Sequence, residues 1–146
     1  PCNSAHKYFD NLKNCLNIPL LNIIDATKKQ FNKNTKRATL FATETTINAN
    51  LYQNKLKNTG VEIMLKKEWQ KEVNTLINGL KSGADKSHSL TLLQKLLKSL
   101  KTEKIDTIIL ACTDLTKLTN EMKNFTVIDS STALAKETIK KYLYFS

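Results

Sequence analysis

The sequence predicts an α/β fold built on a parallel sheet, and three observations carry that reading. Short apolar runs of branched and aliphatic residues alternate with longer segments whose apolar residues recur at helical spacing. The runs are near-continuous rather than alternating, as strands buried on both faces are. The chain has 146 residues with 40% apolar content, enough for one ordinary domain with a real core.

Taken in order, a first helix is expected over 4–16, closed off by Pro19, because proline disfavours a helical residue before it. Strands are expected over 20–24 and 38–42, then a helix over 46–59 that Gly60 stops, then a strand over 61–65. Trp69, Val73, Leu76, Ile77 and Leu80 share one helical stripe that runs into the Lys81-Ser82-Gly83 stop. Leu90, Leu93, Leu96, Leu97 and Leu100 form a second stripe, strands follow over 105–111 and 125–128, and Leu134, Ile139, Tyr142 and Leu143 form a third. All three stripes are expected to be core. No linker rich in Pro, Gly or Ser and no solenoid-length repeat divides the chain.

The net charge is +10 with a pI near 9.5, which raises nucleic acid as a partner. Only Arg37 among the 23 basic residues is an arginine, aromatics make up 7%, and the lysines are scattered. Readers of nucleic acid need arginine forks and stacking rings, so a lysine-rich solvated surface is the better reading. No run approaches the ~20 apolar residues of a membrane span, and the first residues lack the order of a secretory signal. A cytoplasmic location, without a membrane partner, is the expectation. Cys2, Cys15 and Cys112 are odd in number and widely spaced, which speaks against a disulfide framework. With His6 and His88 they offer no close ligand pair, so no metal is expected.

Two segments share one design, a small residue, a cysteine, then short polar side chains that open a helix: Pro1-Cys2-Asn3-Ser4-Ala5-His6 and Ala111-Cys112-Thr113-Asp114-Leu115. The run before Cys112 reads as a buried strand, which puts that cysteine at a strand's carboxyl end, where open parallel sheets bind ligands. Thr113 and Asp114 are expected to cap the next helix, whose positive end would lower the thiol's pKa. Either cysteine also fits a small buried hydrophobe. Cys15, spaced with Tyr8 and Leu12, reads as packing. His6 lies one helical turn after Cys2, which raises a Cys-His nucleophile pair, but no third orienting residue or oxyanion motif accompanies it.

These segments resemble the aspartate/glutamate racemase family. Pro1-Cys2-Asn3-Ser4-Ala5-His6 is similar to its PCNTAH motif, and Ala111-Cys112-Thr113-Asp114 to its second-cysteine motif GCTE. Pro19-Leu20-Leu21-Asn22-Ile23-Ile24-Asp25-Ala26 resembles IPLLHIVDA, Phe41-Ala42-Thr43-Glu44-Thr45-Thr46 resembles its L(G/A)TxxT turn, and Ile128-Asp129-Ser130-Ser131 resembles the stretch that returns the chain to the first domain. Three positions depart from the pattern: Ser4 stands for Thr, Ala111 for Gly and Asp114 for Glu.

The resemblance implies a racemase of the aspartate or glutamate class that uses no cofactor. Cys2 and Cys112 would be the catalytic thiols, one removing the α-proton and the other delivering one from the opposite face. It implies that Asn3, Ser4, Thr43, Thr46, Thr113 and Asp114 bind substrate, though several of these equally fit plain helix caps. Lys81 would face the distal carboxylate of a small acidic amino acid, or be one more solvated lysine. It implies a four-stranded parallel sheet flanked by helices in residues 20–125, with remnants of a second similar domain: 1–19, carrying the first cysteine, and 126–146, the return segment and last helix. Further chain is expected ahead of Pro1, including the strand that ends at the first cysteine. A homodimer is a candidate assembly. An inactive α/β module that binds acidic amino acids is the alternative function.

Overall fold

Residues 38–42 and 107–111 are buried without interruption, the pattern of strands covered on both faces. They form the centre of a four-stranded parallel sheet in the order β2-β1-β3-β4. Its strands are β1 (Arg37–Ala42), β2 (Glu62–Ile63), β3 (Thr107–Ala111) and β4 (Thr126–Asp129). The computed structural model describes residues 1–83 and 85–145. Side chains alternate across each strand. Phe41, Ile108 and Leu110 meet Trp69, Val73, Leu76 and Ile77 of α5 (Lys67–Ser82) and Leu93, Leu96 and Leu100 of α6 (Lys86–Thr102). Leu40, Ala42, Ile109 and Ala111 meet Ile23 and Ile24 of α2 (Ile23–Lys28) and Tyr52 and Leu56 of α4 (Leu51–Leu56), with Leu134 of α7 (Ser130–Phe145) against them. The α/β reading and the parallel sheet of four strands hold. Among the described residues no helix is long and apolar enough to cross a membrane.

Six expectations are corrected. Residues 20–24 do not form a strand: the Asn22 side chain accepts from Ile24 N at 2.8 Å and Asp25 N at 3.2 Å, which starts a helix instead. The helix expected over 46–59 is two, α3 (Glu44–Asn48) and α4, because Asn50 adopts a left-handed φ of 51° between them. The first helix begins as a 3-10 turn, Ser4–Tyr8, before α1 (Phe9–Cys15), and Cys15 is exposed rather than packed. Of the third stripe only Leu134 reaches the core, whereas Ile139, Tyr142 and Leu143 are exposed. Thr113 and Asp114 do not cap an α-helix, since a 3-10 segment over Thr113–Glu121 follows Cys112 with no side-chain cap. Gly83 does close α5 as expected, at φ 70° with its N–H on the Gly79 carbonyl.

Tyr52 is buried with its hydroxyl 2.5 Å from Asn3 Oδ1 and 3.4 Å from Thr27 Oγ1. Burial pushes its pKa up to about 12, against 10.0 for an ordinary tyrosine. Above pH 10 the unfolded chain loses this proton while the folded one keeps it. The favourable balance present below that pH is therefore lost as pH rises toward 12, by about 2–3 kcal/mol. Tyr52→Phe is expected to flatten the alkaline arm of the urea-midpoint profile; an unchanged arm would assign alkaline unfolding to other groups.

Candidate active site

The register of the sheet gathers the site. Ala42 pairs with Ala111, so Thr43 and Cys112, the next residues, leave neighbouring parallel strands at the same carboxyl edge. Leu110 pairs with Asp129, which brings Ser130 to that edge too. The segment around Cys2 is tied to both sides of it. Asn3, 3% exposed, donates from Nδ2 to Ser130 Oγ at 2.9 Å and accepts from the Tyr52 hydroxyl at 2.5 Å. Ser4 Oγ lies 2.8 Å from Thr43 Oγ1 and 3.1 Å from Thr46 Oγ1, and the two threonine hydroxyls are 3.2 Å apart. Thr43 also caps α3, its hydroxyl accepting from Thr46 N. Cys2, immediately before Asn3 and Ser4, is exposed; Cys112 is 8% exposed.

Cys112 Sγ lies 3.7 Å from Asp114 Oδ2, and Lys81 Nζ lies 3.8 Å from the same oxygen. Burial pushes the Cys112 thiol up. The Asp114 backbone N–H opposes this, the Asp114 carboxylate adds to it, and the Lys81 ammonium opposes it. The lowered thiol expected from a helix end is therefore corrected. A 3-10 segment rather than an α-helix follows Cys112, and desolvation of the thiolate is the largest cause. Asp114→Asn is expected to let iodoacetamide alkylate Cys112 at lower pH, and Lys81→Met to require higher pH. Shifts of the same sign in both variants would break this account.

Asn3 thus joins Ser130 and Tyr52, Ser4 joins Thr43 and Thr46, and Lys81, Cys112 and Asp114 form a third group. Thr113 stands half-buried beside the latter. Tyr52 and Ser130 were not anticipated. Ser130 sits in the Ile128-Asp129-Ser130-Ser131 motif, a signal available in the sequence, whereas nothing local marks Tyr52. Gln70 is a further addition: its amide donates to the Ala42 carbonyl at 2.9 Å and to Asn74 Oδ1 at 2.8 Å, bracing the end of β1.

Comparison with known proteins bears on the family. The family model described as Asp/Glu/Hydantoin racemase matches residues 1–138. The broad specificity amino-acid racemase RacX of Bacillus subtilis (strain 168) is 37% identical over 146 residues, covering 99% of this chain and 64% of that protein. A glutamate racemase of Aquifex aeolicus (strain VF5) is 34% identical, covering 92% of this chain and 54% of that protein. Among solved structures, Picrophilus torridus aspartate racemase superposes with a TM-score of 0.78 at 28% identity, over 96% of this chain and 59% of that one. An aspartate racemase homologue from Pyrococcus horikoshii OT3 superposes with a TM-score of 0.75 at 26% identity, over 95% and 63%. The chain spans about three fifths of the length of these relatives. With a family match over nearly its whole length, and both cysteine motifs anchored to one edge of the shared sheet, the chain belongs to the Asp/Glu/Hydantoin racemase family.

Proposed function

We propose that this chain forms the larger part of an amino-acid racemase that interconverts L and D forms of an acidic amino acid through Cys2 and Cys112, with no cofactor. The observation that carries the reading is the double anchoring of the Cys2 segment, through Asn3 to Ser130 and through Ser4 to Thr43, at the sheet edge where Cys112 stands. A thiolate takes the α-proton, the electron pair passes into the α-carboxylate, and the facing thiol returns a proton to the carbon from the other side. One thiolate and one thiol remain, with their identities exchanged. Two similar groups can share this work only if their protonation differs. In one direction Cys2 takes the proton and Cys112 delivers one, and in the other direction the roles exchange.

Donors at the carboxyl edge would meet the charge that builds on the α-carboxylate. Ser4, Thr43, Thr46 and Thr113 would be those donors. Lys81 would draw a distal carboxylate, favouring aspartate or glutamate over neutral amino acids. Because β4 pairs with β3 in the same sheet and Leu134 packs on that sheet, residues 126–134 go with it, and the proposed second domain would meet 1–19 and the outer end of α7. This division is supported by the exposed Leu12, Leu16 and Ile18 on one side and Ile139, Leu143 and Tyr144 on the other, apolar surface of the kind a neighbouring domain covers.

The test is to incubate the protein with L-aspartate or L-glutamate in D₂O, following the α-proton by NMR and the enantiomer by optical rotation. Exchange accompanied by loss of rotation is the expected result. Binding with no exchange would instead mark an inactive module for acidic amino acids.

A further inference from the structure

The racemase reading leaves His6 without a task. Its Nδ1 lies 2.8 Å from the Cys2 carbonyl oxygen, and its Nε2 lies 3.0 Å from the backbone nitrogen of Ile23. A backbone N–H can only donate, so Nε2 accepts and carries no proton. The proton of the neutral ring is then on Nδ1, where it donates to the Cys2 carbonyl. The ring also stacks on Phe9, with centroids 5.3 Å apart and planes 13° from parallel. Both ring nitrogens are therefore committed to backbone, which leaves none to activate a thiol.

The second partner explains the arrangement. Ile23 is the first residue of α2 and is fully buried, and the opening amides of a helix have no partner within it. Asn22 Oδ1 accepts from the next two, Ile24 and Asp25. His6 supplies the acceptor for Ile23, whose amide would otherwise be buried unpaired. Through one ring, the carbonyl of an exposed cysteine is joined to a helix whose Ile23 and Ile24 lie in the core. Asn3 and Ser4 anchor the residues after Cys2; His6 anchors Cys2 itself.

We infer that His6 is a positioning residue for Cys2, bridging the Cys2 carbonyl to the first amide of α2 as the Nδ1-protonated neutral ring. Its consequence for catalysis rests on the racemase reading, because a thiol must be held in line with the carbon it deprotonates.

Three measurements decide it. In the 146-residue chain, a long-range ¹H–¹⁵N spectrum is expected to show the His6 proton on Nδ1 and a bare Nε2; a proton on Nε2 overturns the bridge. Hydrogen exchange at the Ile23 amide is expected to quicken about tenfold in His6→Ala and to return toward the parent rate in His6→Gln, whose amide keeps one donor and one acceptor. Equal exchange in the parent and His6→Ala overturns it. In the racemase assay His6→Ala is expected to lower kcat about ten- to hundredfold with KM little changed, and His6→Gln to recover most of it; full kcat in His6→Ala removes the positioning role. If the parent protein exchanges no α-proton, the racemase reading fails, while the tautomer and the Ile23 exchange still decide the bridge.

Discussion

Cys112→Ser is expected to lower racemisation about 10²–10⁴-fold, the usual contribution of one positioned acid/base group. The exchange is nearly isosteric and the site is buried, so the fold should persist; thermal unfolding of the variant is the control. The loss comes from chemistry. A hydroxyl is far more reluctant than a thiol to ionise, and at the carboxyl end of β3 burial already pushes Cys112 up while Asp114 Oδ2 stands 3.7 Å from its sulfur. A serine there would neither become the base nor accept its regeneration as an acid. Transfer of deuterium from D₂O to the α-carbon gives the direct measurement. Parent-like racemisation by a folded Cys112→Ser protein, read as deuterium incorporation with inversion, would sink the two-thiol mechanism while leaving family membership intact.

Phe41→Ala is expected to destabilise the protein by about 3–5 kcal/mol. Phe41 is fully buried near the carboxyl end of β1 and packs with the α5 and α6 side of the core. Its removal opens a cavity between a sheet and two helices whose backbones cannot close on it. Native domains have about 5–15 kcal/mol in total, so this one ring accounts for a large share. Urea unfolding should show the midpoint fall by more than about 1 M with the slope nearly unchanged. A fall of a few tenths would mean that α5 and α6 collapse into the space. Activity should fall with stability here, because Phe41 lies two residues before Thr43 and shares its core cluster with Cys112.

The elements legible in the sequence were those whose neighbours leave a local pattern. β1 and β3 are buried on both faces and read as continuous apolar runs, and the stripes of α5 and α6 repeat at helical spacing because each packs one face on the sheet. The run at 20–24 was misread because its apolar content says only that it is buried. The Asn22 side chain, accepting two amides, chooses helix. The break at Asn50 is a single left-handed residue that no periodicity announces. The third stripe and the Cys15 face are amphipathic as read, but an apolar face states a demand for cover, not what supplies it.

By itself the sequence determined that two cysteines, each followed by short polar residues, belong to one ordered set of motifs on an α/β chain. Local physics suffices for that, because strands, caps and turns are written within a few residues of themselves. Tertiary structure alone decided what surrounds each thiol. The partners of Asn3 at Ser130 and Tyr52, of Ser4 at Thr43, and of His6 at Ile23 are remote in the chain and meet only through the sheet register and the packing of α2 and α4 on it. The direction in which Cys112 shifts was likewise settled by its burial beside Asp114. Desolvation depends on everything packed around a group, and no stretch of sequence contains that.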